Sequence, residues 1–497
     1  MKTSRLLAAV VVLGVVVCGT TASAQGSLVP RFEPVECDRT SVAASATRVV
    51  CGLVRVPRDH GRVDGGSFAL SVTVLKSTDQ ASRLEPIAWV SDWPAQTVLF
   101  LVALEQGLKK PMPHAAGRDF ILVDARGTGK SEPVFCPQLR QQLLPIMLAI
   151  AQGDTDAAAQ RRSAFFDCRD ALVREGVDLR DFGATVTARD LDWVRRALDV
   201  ERWNVYGFSR GTLAATALAA MQPQTVRSLT LVAPVAPDPS PPRSSKFAAA
   251  REALLAACAA DKNCARDYPD PSTRYREAVR QLDQQPAEMA SQPQPIVRYF
   301  DGRIRITGAV LELAVYQFIK FPMNWGFLPS LINQAGERKG FESVESLAAL
   351  AASTLAVDAL TVSVDCRDRP RLHGPLPDGA SILDRLDLYD ICPGWAPAAP
   401  PPVPVGGGVR TLILDSSSLP TGPLAAGKAL ADRLGQSAQL VDIPGVNPDV
   451  RDNDACVWKI AADFIADPAA VADTSCIGTR PPIIFVFQSG SSSGSNR

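Results

Sequence analysis

The stretch Trp203-Asn204-Val205-Tyr206-Gly207-Phe208-Ser209-Arg210-Gly211-Thr212 constrains this chain more than any other. An apolar segment enters it, G-x-S-x-G stands at its centre, and an Ala/Leu-rich segment leaves it. That order predicts a strand, a sharp turn and a helix. The two glycines lack a Cβ, so the turn can pass close to both strand and helix while the serine is lifted out of the sheet. Ser209 is therefore the candidate nucleophile. The pentapeptide alone is weak, and the competing reading is a Gly-rich turn whose serine only caps the helix. The flanking strand and helix favour the elbow.

The surrounding pattern predicts the layers. Residues 49–77 alternate apolar and polar around Gly65-Gly66, as an antiparallel hairpin does. Pro86 to Val90, Phe120 to Asp124, Leu229 to Val232, Thr411 to Leu414 and Ala438 to Ile443 read as buried strands, being short and β-branched. Arg189 to Leu198 reads as an amphipathic helix with Leu191, Val194, Ala197 and Leu198 inward. Strands alternating with helices predict an α/β fold, a mostly parallel, doubly covered sheet with ligands at its carboxyl ends.

Lys2 and Arg5 precede an apolar run from Leu6 to Val17, and Ala22-Ser23-Ala24 follows. This predicts an export signal cleaved after Ala24 and a secreted or periplasmic protein, since the run is shorter than the ~20 residues of a membrane span. Bulky Val17 makes Cys18 a poor lipid-attachment site. Lysines plus arginines equal aspartates plus glutamates at 52 each, without basic runs, which gives no footprint for nucleic acid. Ten of the eleven cysteines follow the export segment, an even number that suits disulfides in an oxidising compartment. No C-x-x-C pair and only three histidines argue against a metal site, and no cofactor is expected.

The succession Cys37…Cys51-Gly-Leu-Val-Arg-Val-Pro-Arg-Asp, Asp124-Ala-Arg-Gly-Thr-Gly-Lys-Ser, Arg189-Asp190-Leu191 and Tyr206-Gly-Phe-Ser-Arg-Gly-Thr resembles the secreted tripeptidyl-aminopeptidase-like branch of the α/β-hydrolases. The resemblance implies disulfides Cys37–Cys51, Cys136–Cys168, Cys258–Cys264, Cys366–Cys392 and Cys456–Cys476. Between residues 238 and 405 the strand-helix alternation lapses into helical segments with many prolines and aromatics, which reads as a helical cap inserted into a hydrolase core over 25–237 and 406–480, and the tail from 481 ends in a Gly/Ser run from Ser489 expected to be disordered. Tyr316, Phe318, Phe321, Trp325 and Phe327 either make the cap's underside apolar or form its own core.

A serine hydroxyl needs a base and an orienting acid, which in this fold follow it in the order acid, histidine. The family places its acid just after the penultimate strand, where Leu419 stands here, and its histidine after the last strand, where Pro448 stands. Neither residue ionises, and no histidine follows His373. The family's oxyanion loop corresponds to Ser91-Asp92-Trp93-Pro94-Ala95, leaving backbone N–H groups of Trp93 and Arg210 as donor candidates, with Asp92 opposed to negative charge. Replacement partners for Ser209 are His373, near where cap meets core, and the carboxylates Asp415 and Asp449; His60 and His114 read as solvent-exposed loop residues. Asp124 and Arg126 are expected to brace their loop by an ion pair. The expectation is a pseudohydrolase with a capped pocket for a small peptide-like or acyl ligand. The alternative is an active exopeptidase or esterase with non-standard partners.

Overall fold

The short, β-branched runs form a nine-stranded sheet in the computed structural model, which describes residues 28–37, 49–77, 79, 81–91, 117–235, 242–291, 302–395, 403–416, 425–444, 455–479 and 483–486. The expected export segment, the Gly/Ser tail, Asp92, Trp93, His114, Leu419, Pro448 and Asp449 lie outside the described residues. Strands β1 (Phe32–Val35), β2 (Val49–Pro57), β3 (Ser67–Leu75), β4 (Ile87–Val90), β5 (Phe120–Val123), β6 (Trp203–Phe208), β7 (Val226–Val232), β10 (Thr411–Asp415) and β11 (Ala438–Asp442) take the order β1-β2-β3-β5-β4-β6-β7-β10-β11.

The expected hairpin is β2 and β3, paired antiparallel from Val49↔Leu75 to Pro57↔Ser67. From β5 to β11 every neighbouring pair is parallel. β5 and β6 lie on opposite sides of β4, so the chain reverses direction across the sheet there. The ends of β4 and β6 thus flank a crevice, the place where such sheets bind ligands. Alternate residues face opposite layers: Ala88, Val90, Trp203 and Val205 join one core, while Trp89, Tyr206 and Phe208 join the other. In the second, Trp89 stacks on Tyr206 at 4.7 Å between ring centroids, and Trp458 extends the stack.

The expected helix before the elbow begins earlier, as α3 (Ala184–Ala197), following α1 (Leu139–Gln152) and α2 (Ala157–Arg174). Its Leu191 and Val194 are buried, whereas Ala197 and Leu198 are only partly so. The elbow helix is α4 (Gly211–Met221), and α11 and α12 below denote Ala425–Leu434 and Ala455–Ala466.

Between β7 and β10 the alternation gives way to helices: α5 (Arg243–Ala260), α6 (Pro271–Gln284), α7 (Gly308–Ile319), α8 (Leu328–Gly336), α9 (Phe341–Leu355) and α10 (Ala359–Asp368). A two-stranded ribbon, β8 (Ala287–Ala290) with β9 (Arg303–Ile306), interrupts them; four-residue strands carry too little periodicity to read from sequence. Helices α1 and α2 pack on this layer although they precede the elbow in the chain. Thr307 Oγ1 donates to Ala151 O at 2.6 Å, and Arg161 donates to Asp390 and to the carbonyls of Leu386 and Asp387.

All five disulfide pairings that the resemblance implied are present. Cys366–Cys392 fixes the end of α10 beside the turn at Cys392–Trp395, and Cys456–Cys476 ties α12 to the chain beyond it. Each bridge restricts the unfolded chain, worth typically ~2–4 kcal/mol.

Candidate active site

Ser209 sits where β6 ends, with a left-handed φ of 51°. A residue with a Cβ adopts that conformation only under constraint. Here the constraint is explicit: Ser209 N donates to Val232 O at 3.0 Å, and its carbonyl accepts from Thr212 N at 3.1 Å and Thr212 Oγ1 at 2.6 Å. Gly211 is required because a Cβ there would lie 2.0 Å from the Val90 carbonyl oxygen, and a Cβ on Gly207 would lie 2.9 Å from that of Ala215. Ser209 does not cap the helix. The capping position is Arg210, which makes no side-chain cap bond. We expect Gly211→Ala to destabilise the protein by at least about 2 kcal/mol, since backbone must move to admit the methyl group. A urea midpoint unchanged by this substitution would contradict the packing described.

A cavity of about 290 Å³ opens over the elbow. Val90, Phe182, Leu213, Val235 and Leu360 supply apolar lining. Arg210, Arg243, Lys246, Arg369 and Arg371, with Asp358, Asp365 and Asp368, supply a charged one. An apolar aromatic underside is therefore the wrong picture of the cap. Trp325 is 2% exposed and donates its Nε1–H to Ile319 O, while Tyr316 meets Phe247 edge-on. Phe318 packs against the helical core, and Phe327 is 47% exposed on the outside. None of these lines the cavity.

The Ser209 hydroxyl has no hydrogen-bond partner among the described residues. His373 lies in a 3-10 turn, with Nε2 2.7 Å from Cys366 O, and does not line the cavity. His60 is in the β2–β3 turn as expected but is not solvent-exposed. Its Nε2 lies 2.7 Å from Asp190 Oδ1, its side chain is 9% exposed, and its ring meets Trp193 edge-on. Asp190 also corrects the reading of Arg126. All five donors of this buried guanidinium are used, on Asp190 twice and on the carbonyls of Pro57, Arg58 and Asp181. Its ionic partner is thus Asp190 across the fold, while the Asp124 carboxylate accepts from Lys130 N.

Asp415 ends β10 with Oδ1 on Ser416 N and Oδ2 on Gly427 N, both at 2.9 Å, pinning the strand to α11. Burial pushes its pKa up to about 6. It does not line the cavity. Arg210, whose backbone is the oxyanion candidate, ties the elbow to α10 by its side chain, with Nη1 2.8 Å from Asp365.

A strained serine between two sterically required glycines, at the crevice of a parallel sheet, agrees with the profile match: residues 103–292 match the alpha/beta hydrolase fold. The chain has the α/β-hydrolase fold. Over 192 residues it is 28% identical to the tripeptidyl aminopeptidase of Streptomyces lividans, a match covering 38% of this chain and 36% of that relative's length. It is 24% identical over 484 aligned residues to the serine protease Hip1 of Mycobacterium tuberculosis, covering 87% of this chain and 86% of that one. A solved proline iminopeptidase from Mycobacterium smegmatis aligns at 12% identity and a TM-score of 0.36, covering 84% of this chain and 98% of that one.

Of the carboxylates that this α/β-hydrolase-fold chain does bring to the cavity, Asp358, Asp365 and Asp368, none stands out in the sequence, though the last two lie beside Cys366. The expected Cys366–Cys392 bridge was the available signal, since it anchors the end of α10. Asp368 Oδ2 accepts from Ala184 N at 2.8 Å, and burial, reinforced by neighbouring Asp365, pushes its pKa from 3.8 up to about 7. Between these values the folded state keeps a proton that the unfolded chain has released, so stability falls as pH rises through the window. We expect Asp368→Asn to flatten the stability profile between pH 4.5 and 7.5 by on the order of 1–2 kcal/mol, discounted for partial solvent screening. Urea titrations of the two proteins at several pH values measure this, and parallel profiles would contradict it.

Proposed function

We propose that this chain is an exported protein that retains the cavity and nucleophile position of a peptidase-like hydrolase but has lost triad turnover. The cavity then binds a small peptide-like or acyl ligand without cleaving it. The observation that carries the reading is the absence of any histidine beyond His373, which leaves no imidazole to follow the last strand, together with Leu419 and Pro448 at the family's acid and histidine positions. The placement of His60 on Asp190 and of His373 on the Cys366 carbonyl supports it. Five disulfides support export, since such bonds persist in oxidising compartments.

One observation favours a second reading, an active serine hydrolase with a non-standard base. Asp368 shares the cavity with Ser209 and titrates near neutrality, as a general base should. Hydrolysis of p-nitrophenyl esters and tripeptide anilides separates the two. The proposal expects equal rates for the wild type and Ser209→Ala; turnover lost in both Ser209→Ala and Asp368→Asn supports the active hydrolase instead.

A further inference from the structure

Beyond the core, the segment Ile483-Ile484-Phe485-Val486 reaches back to the helical layer. Its residues alternate: Phe485 is 7% exposed and packs with Cys258, Cys264 and Tyr268, whereas Ile484 is 76% exposed. Val486 N donates to Gly326 O at 3.0 Å, and the Tyr268 hydroxyl donates to Val486 O at 3.4 Å. Gly326 lies in the 3-10 turn Pro322–Phe327 between α7 and α8, where a Cβ would stand 1.9 Å from Ile484 O. That turn is itself fixed in the layer by the buried Trp325 and its bond to Ile319 O. The segment therefore grips two parts of the layer at once, the end of α5 through Cys258–Cys264 and the turn before α8.

The near end of the same stretch is fastened to the core. Cys476 is bridged to Cys456 of α12, a helix that packs with Trp89 and Tyr206 beneath the sheet. Six residues separate Cys476 from Ile483, so the crossing from core to layer spans no more than about 25 Å. One buried ring and two hydrogen bonds hold the far end against the entropy of ordering four residues, opposing terms of similar size. Such an attachment opens without unfolding the sheet. Helix α5 carries the effect to the site: its 18 residues run about 27 Å, from the gripped Cys258 to a first turn whose Arg243 and Lys246 line the cavity. We infer that residues 483–486 are a latch that clamps the helical layer to the core and sets how freely α5 moves at the cavity over Ser209. The device is independent of whether the cavity binds a ligand or turns one over.

The test is hydrogen exchange read by mass spectrometry on the full chain and three variants. Phe485→Ala removes the buried ring, Gly326→Ala pushes the segment off its turn, and Ile484→Ala changes only the exposed face. In the first two, amides of residues 254–268 and 322–328 are expected to exchange at least about tenfold faster, and those in the first two turns of α5 several-fold faster, while β4 to β7 keep wild-type rates. Ile484→Ala is expected to match the wild type throughout. Phe485→Ala leaves the turn's own sequence intact and so keeps the test open should Gly326→Ala disturb that turn directly. Faster exchange confined to 483–486 would make the segment a passenger and overturn the inference. Equal loss of protection in the sheet, or the same loss in Ile484→Ala, would overturn it as well.

Discussion

Asp387→Ala is expected to destabilise the protein by about 3–5 kcal/mol, the usual cost of leaving a buried charge without its partner. The carboxylate is 1% exposed and is approached by Arg243, Arg369 and Arg371, while Arg161 donates to its backbone carbonyl. Burial alone raises its pKa, but Arg243 and Arg369 outweigh that and hold it below the ordinary carboxylate range. Removing it places several guanidinium groups against one another in the helical layer. The comparison is Asp432→Ala, which breaks the exposed pair Lys428–Asp432 of α11. That substitution is expected to cost no more than about 0.5 kcal/mol. Urea unfolding at pH 7 measures both, and equal losses would show that the Asp387 cluster is no more consequential than a surface pair.

The second large effect is in catalysis. In well-studied triads, loss of the serine or histidine costs on the order of 10⁶ in turnover, about 8 kcal/mol of transition-state stabilisation. Under the proposed loss of triad turnover, the chain is expected to fall short of an intact triad enzyme by that order. Its residual rate is also expected to be insensitive to Ser209→Ala. The relevant readout is kcat, because a preserved cavity can leave KM in an ordinary range. A kcat within about a hundredfold of a working peptidase, abolished by Ser209→Ala, would contradict the expectation.

The sheet was legible in the sequence because its strands are short, apolar and bounded by turn residues, and the elbow because only glycine fits at Gly207 and Gly211 against Ala215 and Val90. The disulfide pairing was legible through resemblance alone, since spacing does not choose among cysteines. Less visible was anything that depends on distant segments meeting. The edge strand β1 alternates too weakly to stand out, the β8–β9 ribbon is too short, and α1 and α2 join a helical layer built mainly from later residues. The site shows the same division. Ser209 is marked by its neighbours in sequence, whereas the pairs Arg126–Asp190 and Arg210–Asp365 join residues 64 and 155 positions apart. The apolar aromatics drew attention to the cap, yet none of them lines the cavity, which arginines face instead.

Ser209 itself offers the most direct measurement. A fluorophosphonate probe reacts with a serine whose proton a neighbouring base removes, so labelling of the folded wild-type chain, read by intact-protein mass spectrometry against Ser209→Ala, reports whether such a base exists. The account predicts no adduct on Ser209 under conditions that label an intact serine hydrolase to completion. Rapid, stoichiometric modification at Ser209, absent from Ser209→Ala, would contradict it.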